Sequence, residues 1–85
     1  YVGDSVIGEN VNLGAGTITA NLRFDHKDII VTVNNEKVNS HTKKLGAIIG
    51  DNVQIGINVN LMPGVKIWPN SNIKPGTAVY GDITS

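Results

Sequence analysis

Residues 49–79 read IGDNVQIGINVNLMPGVKIWPNSNIKPGTAV. Within this stretch Ile49, Ile55, Leu61, Ile67, Ile73 and Val79 stand six positions apart without a slip. A helix returns an apolar residue every 3.6 positions and a free strand every second one, so a period of six fits neither. It fits a solenoid whose short edges turn a corner every six residues. Four residues after each aliphatic position the side chain is again small or β-branched, at Val53, Val59, Val65, Ser71 and Thr77. Gly, Asn, Asp and Pro fill the bends, as a triangular coil of three short strands requires. Three hexads then make one coil of about 18 residues.

The same clock runs at the other end of the chain. Tyr1, Ile7, Leu13 and Thr19 occupy the inward register, and Ser5, Val11 and Thr17 the small one. With parallel strands stacked at ~4.8 Å, the pattern predicts an all-β prism of about four coils, roughly 20 Å tall.

Composition narrows the partners. The chain has 85 residues, no net charge, 16% charged and 40% hydrophobic residues, which suits one small soluble domain and argues against nucleic-acid binding. No stretch approaches the ~20 apolar residues of a membrane helix, and a cytoplasmic location is expected. The absence of cysteine removes disulfides, thiolate metal sites and a thiol nucleophile from consideration. A domain of this size buries only about 60 to 65% of its unfolded surface, and the ends of a short solenoid expose unpaired strand backbone. Self-association or a covering neighbour is therefore expected. Because the repeat is already in phase at Tyr1, residues 1–85 read as a single domain excerpted from a longer polypeptide.

Between Thr19 and Ile49 the hexads lapse. Ile30, Val31, Thr32 and Val33 lead into Asn34-Asn35 with Val38 beyond, which predicts a hairpin within a loop insertion near residues 22–44. Five of the seven cations, Arg23, Lys27, Lys37, Lys43 and Lys44, lie in or beside this excursion, as do His26 and His41. One reading is a solvated loop carrying charges that an apolar prism has no room for. The other is a flap whose cations, Arg23 among them as a substrate contact, hold a phosphate near the coil wall.

Three strings carry a resemblance: Tyr1-Val2-Gly3-Asp4-Ser5-Val6-Ile7-Gly8, then Asn12-Leu13-Gly14-Ala15-Gly16-Thr17-Ile18-Thr19-Ala20-Asn21, then Ile48-Ile49-Gly50-Asp51-Asn52-Val53. Together they resemble the C-terminal domain of bifunctional sugar-1-phosphate nucleotidyltransferase/acetyltransferases. Leu61-Met62-Pro63-Gly64-Val65 and the basic hairpin are most similar to archaeal members. The resemblance implies a left-handed parallel β-helix of hexapeptide repeats. The hand comes from the resemblance alone, since general chirality rules favour a right-handed crossover.

It also implies a homotrimer that moves acetyl from acetyl-CoA to the amino group of glucosamine-1-phosphate, in nucleotide-sugar (UDP-GlcNAc) synthesis. Mg²⁺ would belong only to the nucleotidyltransferase domain, which this sequence does not include. Asn21 matches an active-site asparagine, with its amide on the sugar or the developing oxyanion; an asparagine at such a corner also serves as a plain turn cap. Lys27 matches a functional lysine that pairs with phosphate or polarises the amine, although an exposed loop lysine also serves solubility. Tyr1 matches a substrate-contacting tyrosine, yet its register points it toward the core.

Ala15 matches a wall position of the acetyl-CoA groove. Ile57 stands where a serine contacts the cofactor, and Lys74-Pro75 where small residues do. Leu22 replaces a tyrosine that follows the asparagine in bacterial members. The catalytic histidine of the family falls two positions before Tyr1, and His26 and His41 read as surface loop residues. A non-catalytic role, trimerising or bracing a nucleotidyltransferase, is the alternative function. A β-helical carbonic anhydrase would need three metal histidines where this chain has two, and ice binding would need outward rows of threonine. Trp68, following an inward Ile67, is expected to face outward.

Overall fold

Two-residue strands joined by four-residue bends build the molecule, because each hexad offers one inward aliphatic side chain and then a residue that can turn. The structure, a computed structural model, describes residues 1–84. Three strands precede the excursion, β1 (Val6–Ile7), β2 (Asn12–Leu13) and β3 (Ile18–Thr19), and the excursion holds β4 (Ile30–Val33) and β5 (Glu36–Asn39). Beyond it come β6 (Ile48–Ile49), β7 (Gln54–Ile55), β8 (Asn60–Leu61), β9 (Lys66–Ile67), β10 (Asn72–Ile73) and β11 (Ala78–Val79). No helix occurs among the described residues.

Parallel pairing sorts these strands into three faces, β1-β6-β9, β2-β7-β10 and β3-β8-β11. Ile48 pairs with Lys66, so a coil takes 18 residues; Val6 pairs with Ile48, 42 residues on, so the excursion inserts 24 at one corner. Three complete coils result. Val2 and Ile83 bridge onto β3 and β9 as pieces of further coils, in keeping with the expected count of about four.

The corners depend on left-handed backbone, which asparagine and glycine adopt at least cost. Asn10, Asn52 and Asn70 hold φ of 57°, 60° and 66° one above another at the first corner. At the second, Gly16, Asn58 and Gly76 hold 78°, 54° and 75°. Inside the prism Ile49, Ile55, Leu61, Ile67, Ile73 and Val79 are all buried, and Val53, Val59, Val65 and Ala47 fill the spaces between them. Each fully buried aliphatic of this kind contributes about 1.5 to 3 kcal/mol. The inward clock read from residues 49–79 is thus the core.

At the first end the clock slips. Thr19 pairs with Val2 rather than with Tyr1, eighteen positions away, and a shift of one residue sends alternate side chains to the opposite face. Tyr1 is accordingly 72% exposed, folded over Gly3, and does not point toward the core as its register predicted. Ile7, in the outermost complete coil, is 39% exposed.

The excursion contains the expected hairpin. Val33 pairs with Glu36 across Asn34 and Asn35, whose φ of 49° and 65° make the tight two-residue turn that matches the twist of the flanking strands. Ile29 is buried to 1% exposure, with its side chain in the space a Cβ on Gly64 would need. Lys66 reaches from β9 to donate a hydrogen bond to the Thr32 carbonyl, and its ammonium lies 5.8 Å from the Trp68 ring centroid. The hairpin is therefore fastened against the coil wall. Trp68 faces outward as expected, 45% exposed.

Candidate functional site

The excursion leaves and re-enters the prism through a neck that Asn21 closes. Asn21 follows β3 and Ala20; its carbonyl accepts the Leu45 amide at 3.0 Å where the chain returns. One coil away, the Asp4 carbonyl accepts the Gly46 amide at 2.8 Å. The side chains meet as well, Asn21 Nδ2 donating to Asp4 Oδ2 at 2.6 Å. Asparagine at this position does more than cap a turn, because its amide is paired to a carboxylate 17 residues earlier in sequence. Sequence reasoning did not single out Asp4. The same Gly-Asp pair recurs at residues 50–51 and 81–82, so nothing in the sequence sets Asp4 apart.

The rising limb of the flap carries Arg23 and Lys27, the return limb Lys43 and Lys44. Arg23 forms an ion pair with Asp25 at 2.6 Å, both side chains about two-fifths exposed. Asp25 Oδ1 also accepts the Lys27 backbone amide at 3.0 Å, across His26 in the left-handed region at φ 57°. That backbone bond, helped by Arg23, holds the Asp25 carboxyl below the usual carboxylate range. Lys27 itself is exposed. On the return limb Lys43 bonds Asp28 at 3.1 Å and lowers its pKa likewise. His26 and His41 are both exposed surface residues, as expected.

The three positions assigned to the cofactor lie at one corner. The Asn58 amide donates to the Ala15 carbonyl and the Gly76 amide to the Ile57 carbonyl, each at 2.9 Å, so Ala15, Ile57 and Pro75 stack as a column along the prism axis. Lys74 sits one residue before that column, exposed, after β10. The β3-β8-β11 face separates this corner from the Asn21 neck. Six residues run from Ala15 to Asn21, at most about 20 Å of extended chain. Tyr1 extends the same face, its carbonyl accepting the Thr19 amide at 3.0 Å. Ala15, Ile57, Asn21 and Tyr1 therefore border one face, at its two edges and its end.

Beside the neck an open groove of about 450 Å³ runs between the flap and the wall, lined by Ala20, Leu22, Arg23, Phe24, Met62 and Tyr80 among others. Phe24 is fully exposed and Tyr80 78% exposed. The groove is mostly apolar with a single guanidinium, already engaged by Asp25.

Residues 46–81 match a family model described as bacterial transferase hexapeptide (six repeats). The chain is 54% identical over 98% of its length to a bifunctional sugar-1-phosphate nucleotidylyltransferase/acetyltransferase of Sulfurisphaera tokodaii, covering 21% of that protein. It is 57% identical over 98% of its length to the bifunctional protein GlmU of Methanococcus aeolicus, covering 20% of it. To GlmU of Methanocaldococcus jannaschii it is 53% identical over its whole length, covering 21%. The chain thus spans about a fifth of the length of the curated relatives it matches. With its unbroken hexads, its flap at one corner and this likeness from end to end, the chain is a left-handed β-helical domain whose residues 46–81 carry the repeats of the bacterial transferase hexapeptide family.

Proposed function

We propose that this domain transfers acetyl from acetyl-CoA to the amino group of an amino-sugar-1-phosphate, glucosamine-1-phosphate, within a longer bifunctional enzyme that also carries a nucleotidylyltransferase. The observation that carries the reading is the shared face: the Ala15–Ile57 column at one edge, the Asn21–Asp4 pair and a cationic flap at the other. Likeness to proteins named sugar-1-phosphate nucleotidylyltransferase/acetyltransferase supports the same assignment.

In this reaction the amine attacks the thioester carbonyl carbon, its proton passes to a base, the C–S bond breaks and the thiol leaves protonated. Asn21 contacts the sugar or the developing oxyanion. Lys27 meets the phosphate or the amine, and Arg23 joins it once phosphate displaces Asp25. The Tyr1 hydroxyl contacts the sugar, while Ala15, Ile57 and Lys74 border the acetyl-CoA arm. The resemblance assigns the base to the segment preceding Tyr1, and the exposed flap histidines take no part. Mg²⁺ belongs to the nucleotidylyltransferase step of the parent.

In one copy the column and Asn21 stand at opposite edges of the face, separated by up to about 20 Å of chain. A homotrimer closes that gap, because a neighbour's column can face this copy's flap across a seam. We place the enzyme in the cytoplasm, where acetyl-CoA and sugar phosphates are made.

The test uses the longer protein, acetyl-CoA and glucosamine-1-phosphate, following free thiol. Amine-dependent thiol release is expected, falling about 100-fold or more in Asn21→Ala, the scale of losing an oriented polar contact in a transition state. Thiol release that ignores the amine sinks the proposal. A purely bracing role has one observation in its favour: Ile57, bulky and 52% exposed, stands in the cofactor column. In that case Asn21→Ala leaves both oligomerisation and the parent's nucleotidylyl transfer untouched, with no acetyl transfer to lose.

A further inference from the structure

Asn21 carries two unlike groups on one side chain, a donor NH₂ and an acceptor oxygen, and the chemistry depends on which of them faces the substrate. Its partner settles the matter: a carboxylate can only accept, so the atom 2.6 Å from Asp4 Oδ2 is the nitrogen. The acceptor Oδ1 is then turned away from Asp4. We infer that Asp4 is a positioning residue that holds Asn21 with its carbonyl oxygen toward the substrate, so that Asn21 accepts a hydrogen bond from the sugar amine and does not donate to the oxyanion. An acceptor on one amine N–H aims the nitrogen lone pair away from it, toward the thioester carbon. This rests on the acetyl-transfer reading and narrows the two roles left open for Asn21.

Asp4 is suited to this by its backbone. Its φ of 50° lies in the left-handed region, and its carbonyl is tied to the Gly46 amide at 2.8 Å, so the carboxylate projects from a fixed corner one coil from Asn21. The charged acceptor also makes the bond shorter and stronger than a neutral pair would. The same φ dictates the variants. Alanine would strain the corner, whereas glycine and asparagine adopt it readily.

The decisive experiment is an exchange of the two groups in the full-length parent, with amine-dependent thiol release and melting temperature measured together. Asp4→Gly frees the Asn21 amide; a drop in kcat of tenfold to 100-fold is expected, with the KM for acetyl-CoA unchanged. Asn21→Asp alone puts two carboxylates within bonding distance and is expected to lose at least 100-fold. Asp4→Asn combined with Asn21→Asp restores a donor–acceptor pair of reversed polarity, still with an acceptor oxygen facing out. Recovery to within about tenfold of the parent is expected from an outward acceptor and not from an outward donor.

A folded double variant as inactive as Asn21→Asp, or Asp4→Gly turning over like the parent, overturns the inference while leaving acetyl transfer standing. An unaltered parent that releases no thiol removes both. Should the double variant fail to fold, the Asn21 side-chain NH₂ resonances decide: they are expected to move in Asp4→Gly, and unmoved signals overturn the inference.

Discussion

Ser71 carries the plainest unmet demand in the molecule. It is 4% exposed, and its hydroxyl has no hydrogen-bond partner among the described residues. Val53 and Val65 occupy the same register in the core. A buried hydroxyl without a partner costs about 1 to 3 kcal/mol, and removing it restores the pattern of its neighbours. Ser71→Val is expected to stabilise the domain by about 1 kcal/mol, raising Tm by about 4 to 8 °C for a chain of this size. A melting scan checks it, and a lower Tm would mean that the site is already full. Gly56 makes the opposite case. A Cβ there would lie 2.6 Å from the Pro75 nitrogen and ring, so Gly56→Ala is expected to lower Tm through a clash with backbone. Ser71 was readable from the hexad, because a periodic core names its own inward positions. Tyr1 was not: its outward turn comes from a one-residue slip in pairing, which no spacing within the chain encodes. Asp4 escaped for a related reason, since its partner Asn21 becomes a neighbour only when coils stack.

The hairpin existed in the sequence as a run of β-formers before Asn34-Asn35, but its register did not; the structure sets it by pairing Val33 with Glu36. What fastens it was invisible in the sequence, because Lys66 lies on a distant strand and looks like an ordinary outward lysine. A hydrogen bond from a charged donor is worth about 1.5 to 3 kcal/mol. Lys66→Met keeps the apolar stem and removes the ammonium, so amides at residues 30–39 are expected to exchange roughly tenfold faster, while those of the core strands hold. Uniform acceleration would mean that the clamp braces the whole prism. The flap's other fastenings are ionic and depend on pH. Asp25 and Asp28 have carboxyls held below their ordinary range, by the Lys27 amide and by the Lys43 ammonium respectively. For such groups the stabilising effect is in place above the ordinary aspartate value and disappears as pH falls through the depressed ones. Both sites are exposed, so the effect is local. The side-chain carboxyl resonances of Asp25 and Asp28 are expected to stay constant from neutral pH down to about 4 and to shift below it. A midpoint at or above the ordinary aspartate value would mean that the two contacts do not hold these carboxylates.

At the scale of the whole molecule the sequence disclosed the prism, its three-sided coil and its interruption, all of which are local periodicities. It could not disclose what packs against the β3-β8-β11 face, whose two edges carry the candidate residues. The surface argues for association at that place. Phe24 is fully exposed, Tyr80 78% and Leu22 39%, and all three line the groove beside the Asn21 neck. Exposed aromatics clustered around an apolar groove are a common mark of a contact surface. Three copies of the 9.0 kDa chain are therefore expected to sediment together, and Phe24→Asp to shift them toward monomer with the fold of each copy retained. Under the seam reading, acetyl transfer falls in step with the trimer fraction as the variant protein is diluted. Activity that survives in a monomer would place both halves of the reaction on one copy. The distance along the face from Ala15 to Asn21 would then have to be bridged by movement of the flap, and the Lys66 clamp would become its hinge.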